Sequence, residues 1–139
     1  MVADFGEYGP NKLLVIKDRF SGLVRVYTLK DMTMKSAIRG YFMWAHSYGI
    51  ASEIRTDDGP GFRSEFTEAV NAIGTTHVNS SAYNPTSNGC AERGVGQIKI
   101  ILEKLGKKSV LSQDFLNFIV FKMNSHISRT TGSALQRFF

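Results

Sequence analysis

The sequence predicts an α/β fold with a mixed sheet, because strand and helix patterns alternate along the chain after an initial antiparallel hairpin. The runs LLVIKD (13–18) and LVRVYTL (23–29) are rich in β-branched residues and flank a Ser21-Gly22 turn, which is typical of a hairpin. No repeat, low-complexity tract or linker interrupts the pattern. A single domain over residues 1–139 is therefore expected, with a core that the chain is long enough to bury.

The remaining elements follow from hydrophobic periodicity and from turn residues. The expected strands are 3–7, 13–18, 23–29, 50–55 and 75–79, and the first of them is expected to be truncated by the start of the chain. Helices are expected over 33–47, which Gly49 ends, and over 64–73. A further helix should contain 116–121, and another should begin within 133–139.

A long helix is the most regular feature of the second half of the chain. Its apolar residues recur at the spacing of one buried stripe, namely Ala91, Val95, Ile98, Leu102 and Leu105. Ser87 or Asn88 is expected to cap its N-terminus, and Gly106 is expected to end it.

Composition excludes several classes of protein. The hydrophobic share of 42% and the charged share of 21% are those of an ordinary soluble domain. One cysteine allows no intramolecular disulfide, and the three histidines have no zinc-ligand spacing. The apolar runs are much shorter than the roughly 20 residues of a membrane span, and no signal peptide is visible. The expectation is a soluble intracellular protein that does not enter a membrane.

Basic residues are concentrated towards the C-terminus. Residues 93–139 contain eight Lys and Arg against two acids, whereas residues 1–92 contain nine against ten. A basic segment beside a region that contains carboxylates is typical of an enzyme that acts on a polyanion. A solvated helix face would give the same distribution.

Three carboxylates occupy positions at which strands and a helix could converge. Asp4 lies on the first strand, Asp57 follows a strand, and Glu92 lies in the first turn of the long helix. Converging carboxylates repel one another unless cations separate them, and oxygen ligands of this kind suit Mg²⁺ or Mn²⁺. Each acid also has a simpler interpretation, since Asp57 lies in good turn sequence and Asp4 could be a terminal residue.

Lys99 lies on the same side of the long helix as Glu92. Seven residues separate the two, which places them about 20° apart around the helix and roughly 10 Å apart along it. Lys99 could therefore bind a phosphate one step from a metal site. An amphipathic helix with a polar face would give the same spacing.

Five segments, taken in order, resemble the catalytic core of retroviral or gypsy-type retrotransposon integrases. They are ADFGEY, LLVIKDRFSGLVRVYTL, IRTDDGPGF, HVNSSAYNPTSNGCAERGVGQIK and FLNFIVFKMNSHISRTTGSAL, and they cover nearly the whole chain. The most specific part is TDDGPGF followed by YNPTSNGCAE.

The resemblance implies a ribonuclease-H-like fold, with a mixed five-stranded sheet flanked by helices, and a triad that holds two Mg²⁺ or Mn²⁺ ions. By motif, the triad falls on Asp4, Asp57 and Glu92. Asp57 is preferred to Asp58 because the family's Ser/Thr-Asp-x-Gly pattern fits Thr56 to Gly59 in that register.

The resemblance also implies contacts with DNA. Lys99 matches a lysine that contacts the element's DNA end, and Arg93 is expected to bind phosphate beside it. The loop that closes on DNA near the scissile phosphate matches Tyr83, Asn84, Ser87 and Asn88. The implied partners are element ends, target DNA and further copies of the chain, and the implied location is the nucleus.

Two other functions remain open from the sequence. A decayed or domesticated integrase fragment would bind nucleic acid without catalysis, and it would do so even without the three carboxylates. Another nuclease of the same fold, such as a ribonuclease H, would cut RNA in a hybrid, although the YNPTSNGCAE segment argues against it.

Overall fold

The computed structural model describes residues 1–79, 85–106, 110–125 and 133, with the backbone alone for 85–92 and 94. This part of the chain forms five strands and four α-helices. In chain order they are β1 (Val2–Tyr8), β2 (Asn11–Lys17), β3 (Val24–Leu29), α1 (Met34–Tyr48), β4 (Glu53–Thr56), α2 (Ser64–Ala72), β5 (Thr76–Asn79), α3 (Pro85–Lys104) and α4 (Gln113–Ser125). A single 3-10 turn, Pro60–Phe62, precedes α2.

The strands form one mixed sheet in the order β3-β2-β1-β4-β5. The β1–β2 and β2–β3 pairs are antiparallel, and the β1–β4 and β4–β5 pairs are parallel. The prediction of a mixed five-stranded α/β fold is confirmed. The first strand is longer than the 3–7 expected, because all seven residues of β1 pair with β2.

Helices cover both faces of the sheet. On one face, α1 and α2 bury Tyr41, Trp44, Phe66 and Val70 against Ala3, Leu14, Ile16 and Ile54 of the strands. On the other face, α3 and α4 bury Ile98, Leu102, Leu116 and Ile119 against Leu13, Val15, Val24 and Val26. Each face therefore has its own hydrophobic core, and the sheet separates the two.

The strand expected at 50–55 begins only at Glu53. The backbone groups of Ala51 are occupied by side chains, because its N–H donates to Tyr41 Oη at 3.2 Å and its carbonyl accepts from Thr75 Oγ1 at 2.8 Å. A residue whose two backbone groups are satisfied in this way does not need the strand ladder.

The start of α3 corrects the sequence prediction. The helix begins at Pro85, so Ser87 and Asn88 lie inside its first turns and neither is the N-cap. Proline favours the first helical position because its fixed φ suits the helix and its missing N–H is not needed there. The predicted ends are confirmed, since Gly49 and Gly106 follow α1 and the last turn of α3 with φ values of 98° and 65°.

The exposed edge of β3 is covered by polar side chains of α4. Asn124 accepts a hydrogen bond from Val24 N at 2.9 Å and donates one to Val24 O at 2.8 Å. Gln113 accepts from Thr28 N at 2.8 Å and donates to Val26 O at 2.7 Å. The two side chains thus pair with backbone groups that a sixth strand would otherwise satisfy.

In the regions that the structure describes, no helix has the length and apolar character needed to cross a bilayer. Of the helix expected to begin within 133–139, only Ser133 belongs to those regions, and it is buried.

Candidate metal and DNA site

The register of the two central strands relates the position of Asp4 to that of Asp57. The parallel pairing of β1 and β4 places Val2 opposite Arg55. Two residues further along both chains, the same register places Asp4 beside Asp57, which directly follows β4. Neighbouring strands are about 4.8 Å apart, so the two backbones bring these carboxylates to adjacent positions.

Both carboxylates belong to the sheet face that α3 covers. Ala3 and Phe5, which flank Asp4, pack in the core on the α1 and α2 face. Ile54 packs in that same core. Because side chains alternate along a strand, Asp4 and the continuation of β4 at Asp57 face the opposite side. Asp4 and Asp57 are both half-buried there.

The loop after β4 gives Asp57 and Asp58 different environments. Asp57 Oδ1 accepts a hydrogen bond from Gly59 N at 2.9 Å, so the carboxylate folds back over its own turn. A Cβ on residue 59 would lie 2.9 Å from that oxygen, which explains the glycine. The Asp58 side chain is 69% exposed, and Arg63 Nε and Nη2 bind its backbone carbonyl at 3.1 and 3.0 Å.

Glu92 lies one helical turn from a close contact between α3 and β1. Gly6, two residues beyond Asp4 on the same face, lies under Val95, and a Cβ on Gly6 would lie 2.9 Å from Val95 Cγ1. Residues three apart on a helix share a side. The backbone of Glu92 is therefore next to the contact that holds α3 on the strand carrying Asp4.

The direction of α3 also relates it to Asp57. The helix contacts β4, β1 and β2, and Ile98 and Leu102 belong to the core that contains Leu13 and Val15 of β2. Val95 contacts Gly6 of β1, and β1 lies between β2 and β4 in the sheet. The contact with β4 therefore belongs to the turns that precede Val95, and these turns contain Glu92. The Glu92 side chain lies outside the described part of the chain, so its convergence with the two aspartates remains a prediction.

The close packing at Gly6 can be tested by a double-mutant cycle. Gly6→Ala is expected to lower the free energy of unfolding by about 1–3 kcal/mol, because the new methyl group overpacks the α3–β1 contact. In a Val95→Ala background the same change should cost much less. Urea unfolding of the four proteins measures the coupling. An equal effect of Gly6→Ala in both backgrounds would show that α3 is not seated through Val95.

The predicted DNA contacts differ in how far the structure describes them. Arg93 is exposed on α3, and Lys99 is half-buried one turn beyond Val95. Ser87 and Asn88 belong to α3, where only their backbone is described, and Tyr83 and Asn84 lie outside the described residues. Arg93 and Lys99 thus lie on the helix that carries Glu92, while the roles of all six residues stay predictions.

The side chains present fit a divalent metal ion in part. Asp4 and Asp57 are adjacent oxygen donors, the type that Mg²⁺ and Mn²⁺ prefer. No group of three or more Asp, Glu, His or Cys residues among the described side chains is arranged to hold a metal ion. A complete site would therefore need a ligand beyond these side chains, and the helix that supplies Glu92 is the nearest candidate.

Sequence reasoning missed a hydrogen-bonded histidine next to this site. His77 of β5 lies 2.7 Å from Thr56 Oγ1 through Nε2 and 2.7 Å from Thr67 Oγ1 through Nδ1. The sequence shows three histidines without zinc-ligand spacing, and nothing in it singles out His77. Its two partners are 21 and 10 residues away, so no local pattern indicated the network.

The mixed sheet, the helices on its two faces and the paired aspartates define a protein with the ribonuclease-H-like fold. Solved structures agree with this fold. The chain superposes on an integrase chain of a simian T-cell lymphotropic virus intasome in complex with a PP2A regulatory subunit. The TM-score is 0.86, the identity is 27%, and the match covers 99% of this chain and 52% of that chain. With the HTLV-2 integrase catalytic core domain in complex with magnesium, the TM-score is 0.81, the identity 26% and the coverage 99% and 94%.

The chain is a homologue of the retroviral integrase catalytic cores, the family that its motifs resemble. The Gag-Pro-Pol polyprotein of Mason-Pfizer monkey virus is 27% identical over 146 aligned positions, which cover 99% of this chain. The chain spans 8% of the length of that polyprotein. No protein-family model matches the chain.

Proposed function

We propose that this chain is the catalytic core domain of an integrase, and that it cuts and joins DNA with the help of divalent metal ions. Homology to integrase cores supports a role in DNA integration and places the chain among polynucleotidyl transferases. The observation that carries the proposal is the parallel register of β1 and β4, with Val2 opposite Arg55. Extended by two residues, this register brings Asp4 next to Asp57 on the face covered by α3.

In this proposal Asp4, Asp57 and Glu92 are the ligands of two Mg²⁺ or Mn²⁺ ions. When bound, such ions activate an attacking oxygen and stabilise the leaving oxygen of a phosphodiester. The three carboxylates act as ligands and form no covalent bond to DNA. Water cleaves the element's strand near each 3′ end. The freed 3′-hydroxyl oxygen then bonds to a target phosphorus while the bond from that phosphorus to the target's 3′ oxygen breaks.

Basic side chains on α3 hold the DNA backbone. Arg93 and Lys99 bind phosphates of the element's end, and Tyr83, Asn84, Ser87 and Asn88 contact DNA close to the scissile phosphate. Phosphate contacts fix position without reading sequence. Binding should therefore weaken steeply as salt is raised.

The comparisons also support a domain assignment and a homo-oligomeric assembly. Because this chain aligns over 99% of its length with a small part of the polyprotein, we assign residues 1–139 to a catalytic core domain. The related HTLV-2 core has been solved in dimeric and trimeric forms, which supports assembly of this chain into a homo-oligomer. Integration into host DNA would place it in the nucleus.

The direct test is disintegration, the reversal of strand transfer, on a branched DNA with Mn²⁺ or Mg²⁺. Glu92→Gln is expected to lower the joining rate at least about a hundredfold, because even residues that only support a metal ligand cost up to about a hundredfold when changed. Glu103→Gln is the matched control, since Glu103 is an exposed residue near the other end of α3.

Circular dichroism should show that the three proteins are equally folded. Joining by wild type and Glu103→Gln, but not by Glu92→Gln, supports the proposal. Equal joining by all three would overturn the role of Glu92. A folded wild type that binds DNA in a salt-sensitive way but never joins it would favour the non-catalytic fragment, and preferential cutting of an RNA–DNA hybrid would favour a ribonuclease H.

A further inference from the structure

His77 connects three elements beneath the candidate site. It lies on β5, one ring nitrogen contacts Thr67 of α2, and the other contacts Thr56 at the end of β4. Phe66 packs against the imidazole edge-on, with ring centroids 4.9 Å apart. Thr56 is only 1% exposed, whereas His77 and Thr67 are half-buried and Asn79 is exposed.

The partners of Thr56 fix the direction of the hydrogen bonds. Its hydroxyl donates to Asp57 O at 2.9 Å and lies 3.2 Å from Asn79 Oδ1, and both of these oxygens are acceptors. A hydroxyl has one proton to give. With that proton given to Asp57 O, His77 Nε2 is the donor to Thr56 Oγ1, and Nδ1 is the acceptor of the Thr67 proton. Burial lowers the pKa of His77, which favours this neutral ring.

The result is a chain of hydrogen bonds that ends on the backbone of Asp57. Thr67 donates to His77, His77 donates to Thr56, and Thr56 donates to the Asp57 carbonyl. On the other side of the residue, Gly59 N holds Asp57 Oδ1 at 2.9 Å. The backbone carbonyl and the carboxylate of Asp57 thus each accept a hydrogen bond.

We infer that His77 is a positioning residue, which orients Asp57 for metal binding through the Thr56 hydroxyl. This inference rests on the proposed function, since it concerns the same metal site. It adds a residue on the far face of the sheet that touches neither metal nor DNA. Without the Nε2 donor, the Thr56 hydroxyl loses one of the contacts that hold it against the Asp57 carbonyl, and the peptide that carries Asp57 is less restrained.

Two substitutions separate positioning from simple core packing. His77→Leu fills much of the space but removes both ring nitrogens. His77→Gln retains an amide donor that can reach Thr56. The matched control is His46→Leu, the same change at an exposed histidine of α1.

Mn²⁺ binding by the folded proteins is measured by calorimetry, and the Mn²⁺ concentration for half-maximal disintegration is measured in parallel. His77→Leu is expected to raise the Mn²⁺ dissociation constant and the half-maximal Mn²⁺ concentration by about tenfold each. Tenfold is the lower end of the effect of residues that support metal ligands. His77→Gln and His46→Leu should stay within about threefold of wild type. Nitrogen-15 NMR of labelled histidine should show the Nε2–H tautomer for His77.

The outcomes separate the positioning role of His77 from the proposed metal-dependent joining of DNA. A wild type that binds Mn²⁺ and joins DNA, with His77→Leu unchanged in Mn²⁺ affinity, would overturn the positioning role and leave the proposed function intact. An Nδ1–H tautomer would also overturn that role. A wild type that neither binds Mn²⁺ nor joins DNA would overturn the proposed function and the positioning role together.

Discussion

Asp57→Asn is expected to abolish metal-dependent DNA joining, whereas Asp58→Asn should leave it nearly intact. The two aspartates are neighbours in TDDGPGF, and the substitution removes the same charge from each. Asp57 continues β4 beside Asp4, with its carboxylate held by Gly59 N. Asp58 is exposed. Its backbone carbonyl lies 3.1 and 3.0 Å from the Arg63 guanidinium, and its carboxylate forms a long, exposed ion pair with the same guanidinium at 4.0 Å.

The expected size follows from the role of each group. Asp57→Asn removes a charged ligand, so the joining rate should fall by more than the 10–100-fold that outer residues of metal sites typically cost. The amide oxygen of asparagine can still accept from Gly59 N, which should preserve the turn. Asp58→Asn should change the rate by less than about threefold, because an exposed side chain loses little when its charge is removed.

Single-turnover disintegration in Mn²⁺, with thermal unfolding as the check on folding, measures the pair. Loss of joining in Asp57→Asn alone would support the register deduced from the parallel strands. Loss in Asp58→Asn alone would show that the motif is shifted by one residue. Equal activity in both variants would remove this loop from the metal site.

The order of elements could be predicted because each element depends on local sequence. The hairpin from β2 to β3 follows from β-branched runs around Gly22, and the end of α1 follows from Gly49. The choice of Asp57 over Asp58 comes from the motif alone and stays a prediction. The role of Glu92 as a metal ligand stays a prediction, as do the contacts of Arg93 and Lys99 with DNA.

Features that the sequence could not reveal depend on side chains that are distant in the chain. β4 starts late because Tyr41 and Thr75 bind the backbone of Ala51, 10 and 24 residues away. His77 joins Thr56 and Thr67 across two elements. The edge of β3 is satisfied by residues of α4, 85 to 100 positions later. Periodicity reports which face of an element is apolar, but it carries no information on such pairings.

The largest effect on stability is expected for Asn124→Leu. Asn124 is 4% exposed, and its amide pairs with both backbone groups of Val24. Leucine has a similar volume but pairs with neither group. An unsatisfied buried donor or acceptor costs about 1–3 kcal/mol, so the free energy of unfolding should fall by about 2–5 kcal/mol. Urea unfolding measures this, with Asn71→Leu on the exposed surface of α2 as the control.

Asn124→Asp separates the two hydrogen bonds of the pair. A carboxylate can still accept from Val24 N, but it has no proton to donate to Val24 O and its charge faces that carbonyl. Asn124→Asp should therefore lower the free energy of unfolding by at least half as much as Asn124→Leu does. Leucine also leaves Val24 available on an uncovered strand edge, so Asn124→Leu should self-associate at concentrations at which wild type does not. A leucine variant within about 0.5 kcal/mol of wild type would mean that water replaces Asn124 at the edge, and that α4 is held on the sheet by its apolar side chains.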